Sequence, residues 1–445
     1  MKNIVIIGNG IAGVTAARYI RKMSDHSITI ISDETDHFYS RTALMYIYMG
    51  HMTYEQTKPY EDWFWAKNRI DLLRGFVTRI DTRMRHLHLA DDSIVRYDVL
   101  IIATGSRSNR FGWPGQDLKG VQGLYSMQDL RTMELATRGI GRAVVVGGGL
   151  IGVEVAEMLA SRRIRTTFLV REQNYWDNVL PREEAAMVGR HIREHGVDLR
   201  LSRQLREILP DENGGVRAVV ADDGERIDCE FVALTAGVSP NIEMVKNSEV
   251  DTARGVLVNE FMETNVPDVY AVGDCAEFRD PKPGHPRVEQ LWYTGKMHGE
   301  VVARTICGHR TPYERGVWFN SAKFFDIEYQ TYGFVAPTHR HGEKTLYWEH
   351  PDGRRCIRIN YLADDRSVVG VNVFGIRFRQ QVFEHWIREK RTIEHVLENL
   401  RAANFDPEFF PHFERDVVAL FNAESGAAIR PKTGRDLRST IFKRV

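Results

Sequence analysis

Apolar residues along the chain fall mostly in strand-sized runs, and their order predicts the elements. Four β-branched residues, Ile4 to Ile7, form a run too short for a helix and typical of a strand buried on both faces. Glycines follow at Gly8, Gly10 and Gly13. The next stretch, "VTAARYIRKM", carries small residues from Val14 to Tyr19 that predict a closely packed helix, and "SITIIS" then reads as a second strand. The same order returns later. "RAVVV" precedes Gly147, Gly149 and Gly152, "GVEVAEML" reads as a helix and "TTFLV" as the following strand. From about Val317 the pattern changes to "AKFFDIEYQTYGFV", "KTLYWEH", "RCIRINYLA" and "SVVGVNVFG", four strands with half-buried aromatic faces. Helical segments follow from about Arg379, including "QVFEHWIREKRTIEHVLENL". Proline and glycine make "RDPKPGHP" (residues 279–286) a loop. No repeat exists beyond the paired glycine units.

A lone G-x-G-x-x-G is weak evidence, but each copy here follows a strand and opens a helix. In that context Gly8 permits the tight turn, Gly10 lets a pyrophosphate approach the backbone, and Gly13 lets helix and strand pack closely. The helix start, with Ile11 and Ala12, offers free N–H groups and a partial positive charge to phosphate. An acid about 20 residues on accepts hydrogen bonds from ribose hydroxyls. Asp33 lies 20 residues past Gly13, with Glu34 beside it. The second cradle comprises Gly147, Gly149, Leu150, Ile151 and Gly152. Arg171 lies 19 residues past Gly152 and Glu172 lies 20 past it. An arginine there accommodates a 2′-phosphate and a carboxylate favours a 2′-hydroxyl, so the two point opposite ways. The offset of Glu172, and the absence of another base before Arg182, favour NADH. Two cradles imply two dinucleotides, a bound flavin and a nicotinamide that reduces it.

Composition narrows the class. A length of 445 residues suggests roughly three domains. A hydrophobic content of 43% and a charged content of 27% are those of an ordinary soluble globular protein. Lys+Arg and Asp+Glu both number 60, which argues against a nucleic-acid-binding surface and bulk membrane attraction. No apolar run approaches the ~20 residues of a spanning helix, and Lys2 with "IVIIG" reads as a core strand rather than a signal peptide. Cys229, Cys275, Cys307 and Cys356 are too scattered for a zinc knuckle or a local redox pair, so reduced thiols in a cytoplasmic protein are expected. Sixteen histidines include His339 and His341, but neither H-E-x-x-H nor a cysteine–histidine cluster occurs. No metal is expected, and these histidines are expected at the surface.

Further stretches carry a specific likeness. "YDVLIIATGS" (Tyr97 to Ser106) resembles the A-T-G segment of two-dinucleotide flavoproteins. "TNVPDVYAVGDCAEF" (Thr264 to Phe278) resembles their second flavin fingerprint, and "FVALTAGVSPN" (Phe231 to Asn241) the exit from their NAD domain. With both glycine turns, in this order, the chain resembles the FAD-dependent pyridine nucleotide–disulfide oxidoreductase family over about residues 1–315. The branch it resembles contains NAD(P)H-dependent rubredoxin, ferredoxin and nitrite reductase flavoproteins. The resemblance implies an α/β fold with two Rossmann-like dinucleotide-binding domains, one for FAD and one for NAD, and a C-terminal α+β interface domain. It implies FAD-binding parts at 1–112 and 239–316, an inserted NAD(P)-binding domain at 113–238, and the interface domain with a basic tail at 317–445. The crossings read as residues 108–120 and 236–241.

By position, the resemblance gives Gly273 and Asp274 to the flavin ribitol chain, and Arg41 of "FYSRTALMY" to cofactor phosphate or isoalloxazine. Val77, Ala103, Thr104, Gly105, Ala236 and Gly237 join the cofactor-binding set. Glu289, Gln290 and Leu291 lead into a helix aimed at the flavin pyrimidine edge, whose N–H groups would stabilise negative charge there. Trp292 either covers the ring or belongs to the core. Glu154 matches an acid near the stacked nicotinamide and flavin rings, although a first-turn helix acid favoured by the macrodipole would look the same.

Departures from the family matter equally. Residues 38–62 contain no cysteine, where relatives carry a redox pair or a single reactive thiol, and the lysine that ferredoxin reductases often place near Tyr46 is absent. The resemblance thus implies hydride transfer from NADH or NADPH to FAD, then direct delivery to an electron-carrier protein such as rubredoxin or ferredoxin. Two rivals are a peripheral NADH:quinone reductase and a redox-sensing flavoprotein resembling apoptosis-inducing factor. Membrane contact is expected only peripherally, and the chain is expected as a monomer or homodimer. The tail "IRPKTGRDLRSTIFKRV" has six basic residues against one acid. It reads as a solvated end, or as a docking segment for an acidic carrier or anionic membrane with Ile441 and Phe442 as apolar contacts.

Overall fold

In the computed structural model, which describes residues 1–406 and 408–432, the Ile4–Ile7 run lies in the strand Asn3–Ile7 at the centre of a five-stranded sheet. The chain divides into two units, one of residues 1–147, 161–164 and 205–315, the other of 148–160, 165–204 and 316–445. In the first unit Asn3–Ile7 pairs in parallel with Ser27–Ser32 on one side and Val99–Ile102 on the other. Ile70–Arg74 and Val269–Ala271 complete the sheet at its edges, also in parallel. Parallel strands are covered on both faces, which is why Ile4, Val5, Ile6 and the whole Val99–Ile102 strand are continuous apolar runs, all fully buried. The chain goes first to one neighbour of the central strand and later to the other. The carboxyl end of Asn3–Ile7 is therefore a topological switch point, where a crevice opens and ligands bind in such sheets.

Small residues bring two helices together beside that crevice. The Ile11–Met23 helix packs against the Trp292–Ile306 helix, and a Cβ built on Gly299 would lie 2.5 Å from the Ala12 carbonyl oxygen. Elsewhere in this unit Arg142–Val146 pairs in parallel with Phe231–Leu234, which pairs with Val121–Gln122. Ser106–Ser108 and Val238–Pro240 pair antiparallel, with Ser239 opposite Arg107.

The second unit holds the Leu150–Ser161 helix, the parallel pair Arg165–Val170 and Asp198–Leu201, and the Arg182–Glu194 helix. Its antiparallel sheet runs in the order Phe319–Phe324, Ile327–Gly333, Val368–Phe374, Cys356–Leu362, Glu343–Glu349. Phe383 of the Gln380–Arg388 helix stacks on Tyr332 of that sheet at 4.8 Å. Arg358 reaches Glu184 of the Arg182–Glu194 helix at 2.6 and 2.9 Å, both side chains being buried, and Glu183 at 2.7 Å.

Three expectations change. The run 322–335, read as one strand, is a hairpin with Phe324 opposite Ile327 and a two-residue turn at Phe325–Asp326. Such turns usually announce themselves by asparagine or glycine. Here Phe325 takes φ +57° and is held by burial against the His195 ring instead. The helical run near 381–400 is two helices, Gln380–Arg388 and Ile393–Asn399, the second capped by the Thr392 side chain. Histidines are not all at the surface, because His298 and His191 are 0% and 1% exposed. Ile441 and Phe442 lie outside the described residues.

Candidate functional site

Backbone geometry sets the first cradle. Gly8 adopts φ +110°, and a Cβ there would stand 2.2 Å from the Ala103 carbonyl oxygen. A Cβ on Gly13 would stand 2.2 Å from the Gly8 carbonyl oxygen, so both positions exclude any side chain. Over Gly10 a Cβ would meet nothing within 4 Å. Gly10 is the extended N-cap of the helix that starts at Ile11, with Ala12 buried behind it. No side chain caps that helix and no acid occupies its first turn, which leaves its positive end directed at the opening.

Polar groups around the crevice form two connected sets. In one, Glu34 accepts from Arg41 Nη1 at 2.9 Å, from the Met127 backbone N–H at 2.9 Å and from the Tyr39 hydroxyl. Burial raises the pKa of the Glu34 carboxyl, but the Arg41 charge and the hydrogen bonds from Arg41, Tyr39 and Met127 together outweigh it, and the net shift is downward. Arg41 also donates to the Tyr125 carbonyl and lies 4.5 Å over the Tyr125 ring. Asp33 is exposed, and its carbonyl accepts from Gln128 Nε2 at 3.0 Å. In the other set Asp274 Oδ2 accepts from Ser106 Oγ at 3.1 Å and from the Tyr125 hydroxyl at 3.3 Å. Burial holds the Asp274 carboxyl above its usual range. Gln290 Nε2 donates to Ser106 Oγ at 2.8 Å. Gly105 has φ +67° and faces the Tyr125 hydroxyl, while Thr104 Oγ1 donates to the Asn241 carbonyl at 2.6 Å. Ala103 and Val77 are buried, Val77 in the hydrophobic core.

Glu289 points away from solvent. Its carboxylate accepts from the Tyr313 hydroxyl at 2.6 Å and from Arg315 Nη1 at 3.2 Å. The His298 ring lies near it, with Nε2 3.8 Å from Glu289 Oε2, and its Nδ1 accepts the Gly273 backbone N–H at 3.2 Å. Gly273 itself has φ +73°. Leu291 is the extended N-cap of the Trp292–Ile306 helix, which no side chain caps. Trp292 is 37% exposed, which decides against a core role.

The second glycine turn contributes to both units. In the first, Gly147 has φ +114°, and a Cβ there would lie 2.7 Å from the Ala236 Cα. Thr235 Oγ1 donates to the Val146 carbonyl at 2.9 Å, and Gly237 takes φ +88°. In the second, a Cβ on Gly149 would meet nothing within 4 Å, and the Tyr175 hydroxyl donates to the Gly149 carbonyl at 3.1 Å. Leu150 and Ile151 open the helix and Gly152 is buried in it. Glu154 is that helix's fifth residue; its first turn holds no acid, so the macrodipole does not account for it. Burial, and then the charge of Glu157, push the Glu154 carboxyl up to about 7. Arg171 is exposed and pairs with Glu172 at 2.9 Å.

Comparison with known proteins gives these two turns a family. A family profile described as pyridine nucleotide-disulphide oxidoreductase matches residues 2–299. The chain belongs to that family. The nitrite reductase [NAD(P)H] of Bacillus subtilis is 31% identical over 84% of this chain and 46% of its own length, so the chain spans about half of that relative. A rubredoxin-NAD(+) reductase of Pseudomonas putida is 30% identical over 69% of this chain and 81% of that one. The crystal structure of a ferredoxin reductase from Rhodopseudomonas palustris superposes with a TM-score of 0.77 at 22% identity, over 94% of this chain and 99% of that one. At that identity the match shows the fold, a mixed α/β architecture of the FAD and NAD reductase type.

Membership in the pyridine nucleotide-disulphide oxidoreductases implies FAD and NAD(P)H. The cradles fit such groups, since Gly8, Gly13 and Gly147 are closed against side chains while the space over Gly10 and Gly149 is open. Sequence reasoning missed Tyr125, Ser106 and His298. Tyr125 touches both polar sets, and it sits in a short segment between Val121–Gln122 and the helix Met127–Ala136 that carries no motif. A signal for His298 was available in its place between Gly295 and Gly299, on the face that packs against the first glycine turn.

The four cysteines are free thiols, and Cys229, Cys275 and Cys356 are buried. Burial raises the Cys275 and Cys356 pKa values and pushes that of Cys229 up to about 12. No helix among the described residues is long and apolar enough to cross a membrane.

Proposed function

We propose that the chain is an FAD-dependent NAD(P)H oxidoreductase that passes electrons to a carrier protein such as a rubredoxin or ferredoxin, with no thiol between cofactor and acceptor. FAD, when bound, supplies hydride acceptance from the nicotinamide and release of electrons to the carrier. The protein's part is to bind, orient and shield. In this reading the N–H groups at Gly10, Ile11 and Ala12 receive the FAD pyrophosphate, and Asp33 and Glu34 face its ribose. Arg41 keeps Glu34 ionised. Asp274, ordered by Ser106 and Tyr125, takes the ribitol hydroxyls, and His298 fixes the Gly273 turn that presents it. The uncapped start of the Trp292 helix, ordered by Gln290 and Leu291, offers backbone donors to negative charge on the ring.

Residues 113–238 would carry NAD(P)H and 317–445 an interface domain. Pairing of Arg171 with Glu172 neutralises the arginine and supports NADH as the preferred donor. The observation that carries the proposal is the open space over Gly10 in a turn otherwise closed to side chains, with the Asp274 carboxylate held nearby in the same unit. Buried, high-pKa cysteines support direct delivery of electrons.

The test is anaerobic. Purified protein should carry flavin absorbance that NADH bleaches, and rubredoxin or ferredoxin should restore it. Protein that is folded but takes up no FAD refutes the proposal. Bleaching followed by rapid recovery with a quinone alone would transfer the activity to the peripheral quinone reductases.

A further inference from the structure

Far along the chain from either glycine turn, the second unit brings together three side chains with the chemistry of metal ligands. His191 and His195 are four residues apart at the end of the Arg182–Glu194 helix, which puts both imidazoles on one helix face. Asp326 comes from the Phe325–Asp326 turn of the hairpin. One donor atom from each residue lies within 4.8 Å of the other two. We infer that His191, His195 and Asp326 form a binding site for one divalent transition-metal ion of the zinc type.

Hydrogen-bond bookkeeping favours an ion over a shared proton. His195 Nδ1 lies 2.9 Å from the His191 carbonyl oxygen, which can only accept, so Nδ1 carries the hydrogen. The Nε2 of a neutral His195 then presents a lone pair toward Asp326 Oδ1 at 3.5 Å. His191 Nε2 addresses the same oxygen. Two imidazole nitrogens and a carboxylate oxygen thus converge, and a single proton satisfies one contact where a cation satisfies all three. Metal-bound histidine commonly donates its other ring N–H to a backbone carbonyl, as His195 does here.

The ring of Phe325 stacks on His195 at 4.5 Å and 28°, which fixes its plane. Tetrahedral zinc with ligands at roughly 2.0–2.1 Å needs donors about 3.0–3.5 Å apart, a small opening of the present His191–Asp326 contact. Arg354 faces the site, its Nη1 3.6 Å from Asp326 Oδ2 and its Nη2 3.6 Å from Glu194 Oε2. It engages the carboxylate oxygen that the ion does not use, and its charge weakens binding. The ion would tie the C-terminal end of the Arg182–Glu194 helix to the hairpin of the antiparallel sheet.

The test uses the full-length protein stripped of metal with a chelator. Titration with Zn²⁺ should show one site per chain and raise the thermal midpoint. Co²⁺ should give the visible absorption bands of a site with fewer than six ligands. His195→Ala and Asp326→Asn should each weaken Zn²⁺ binding about tenfold or more, while a His339→Ala/His341→Ala control leaves it unchanged. Arg354→Ala, which removes a cation from the Asp326 oxygen that the ion does not use, should tighten it about threefold or more. Absence of saturable Zn²⁺ binding overturns the inference. So does equal affinity in wild type and both donor variants, or unchanged or weaker binding in Arg354→Ala.

Discussion

A Cβ built on Gly13 would stand 2.2 Å from a backbone oxygen, whereas one on Gly10 would meet no protein atom within 4 Å. Gly10 also has an ordinary φ of −73°, so alanine fits there without strain. Gly10→Ala should therefore leave the thermal midpoint of cofactor-free protein within about a degree of wild type. It should also lower the flavin-to-protein ratio after dialysis several-fold, because the methyl would occupy the space proposed for the pyrophosphate. A folded variant with full flavin content would remove Gly10 from the site. Glu154 offers a second test. Its carboxyl is protonated up to about pH 7 in the folded chain against 4.5 for an ordinary glutamate. A raised carboxyl pKa favours folding below the lower value, and that contribution is lost as pH rises through the upper one. Glu154→Gln should nearly match wild type near pH 4.5 and exceed it by about 3 kcal/mol near pH 8. Denaturant titrations at the two pH values measure this, and parallel curves would place Glu154 in solvent.

Between elements, the contact of the Ile11–Met23 and Trp292–Ile306 helices depends on Gly299, where a Cβ would meet the Ala12 carbonyl oxygen at 2.5 Å and Thr15 Cβ at 2.8 Å. Backbone cannot yield as a side chain does. Gly299→Ala should cost about 1–3 kcal/mol even though alanine is the better helix former. Gly295→Ala makes ordinary contacts, Ile11 Cγ2 at 3.4 Å and Ala12 Cβ and Gly273 Cα at 3.8 Å, and should be neutral or stabilising by about 0.5–1 kcal/mol. Thermal unfolding of the pair decides, and equal midpoints would show the helices free to move apart. This scale also shows what was legible in the sequence. The sheet strand Asn3–Ile7 could be read because Ile4 to Ile7 is an unbroken apolar run that ends at Gly8, and Ser27–Ser32 because β-branched residues fill it from Ile28 to Ile31. The Phe325–Asp326 turn could not, since its left-handed residue is held by a ring contact with a distant helix rather than by turn chemistry. Tyr125 was invisible for the same reason. Its partners Arg41, Ser106 and Asp274 are far away in sequence, and only the fold brings them within reach.

At the scale of the whole molecule, the proposed activity turns on how electrons would leave. A thiol relay needs a thiolate that is exposed and lowered in pKa, next to a cation or a helix start. This chain has the opposite. Cys275 directly follows Asp274, the position nearest the proposed cofactor, yet it is fully buried and its Sγ contacts the Ile102 and Val272 carbonyl oxygens at 3.4 and 3.3 Å. Cys229 and Cys356 are buried with raised pKa values, and burial also raises that of the half-buried Cys307. The Cys229→Ala/Cys275→Ala/Cys307→Ser/Cys356→Ala variant should lose stability, by about 1 kcal/mol per buried site. In the molecules that retain FAD, however, NADH should bleach the flavin at a rate within about twofold of wild type, and an alkylating reagent should not slow wild type before it unfolds. Stopped-flow absorbance normalised to bound flavin separates the two effects. If bleaching or carrier reduction falls by orders of magnitude at normal flavin content, one of these sulfurs carries electrons, and restoring each cysteine in turn would identify it.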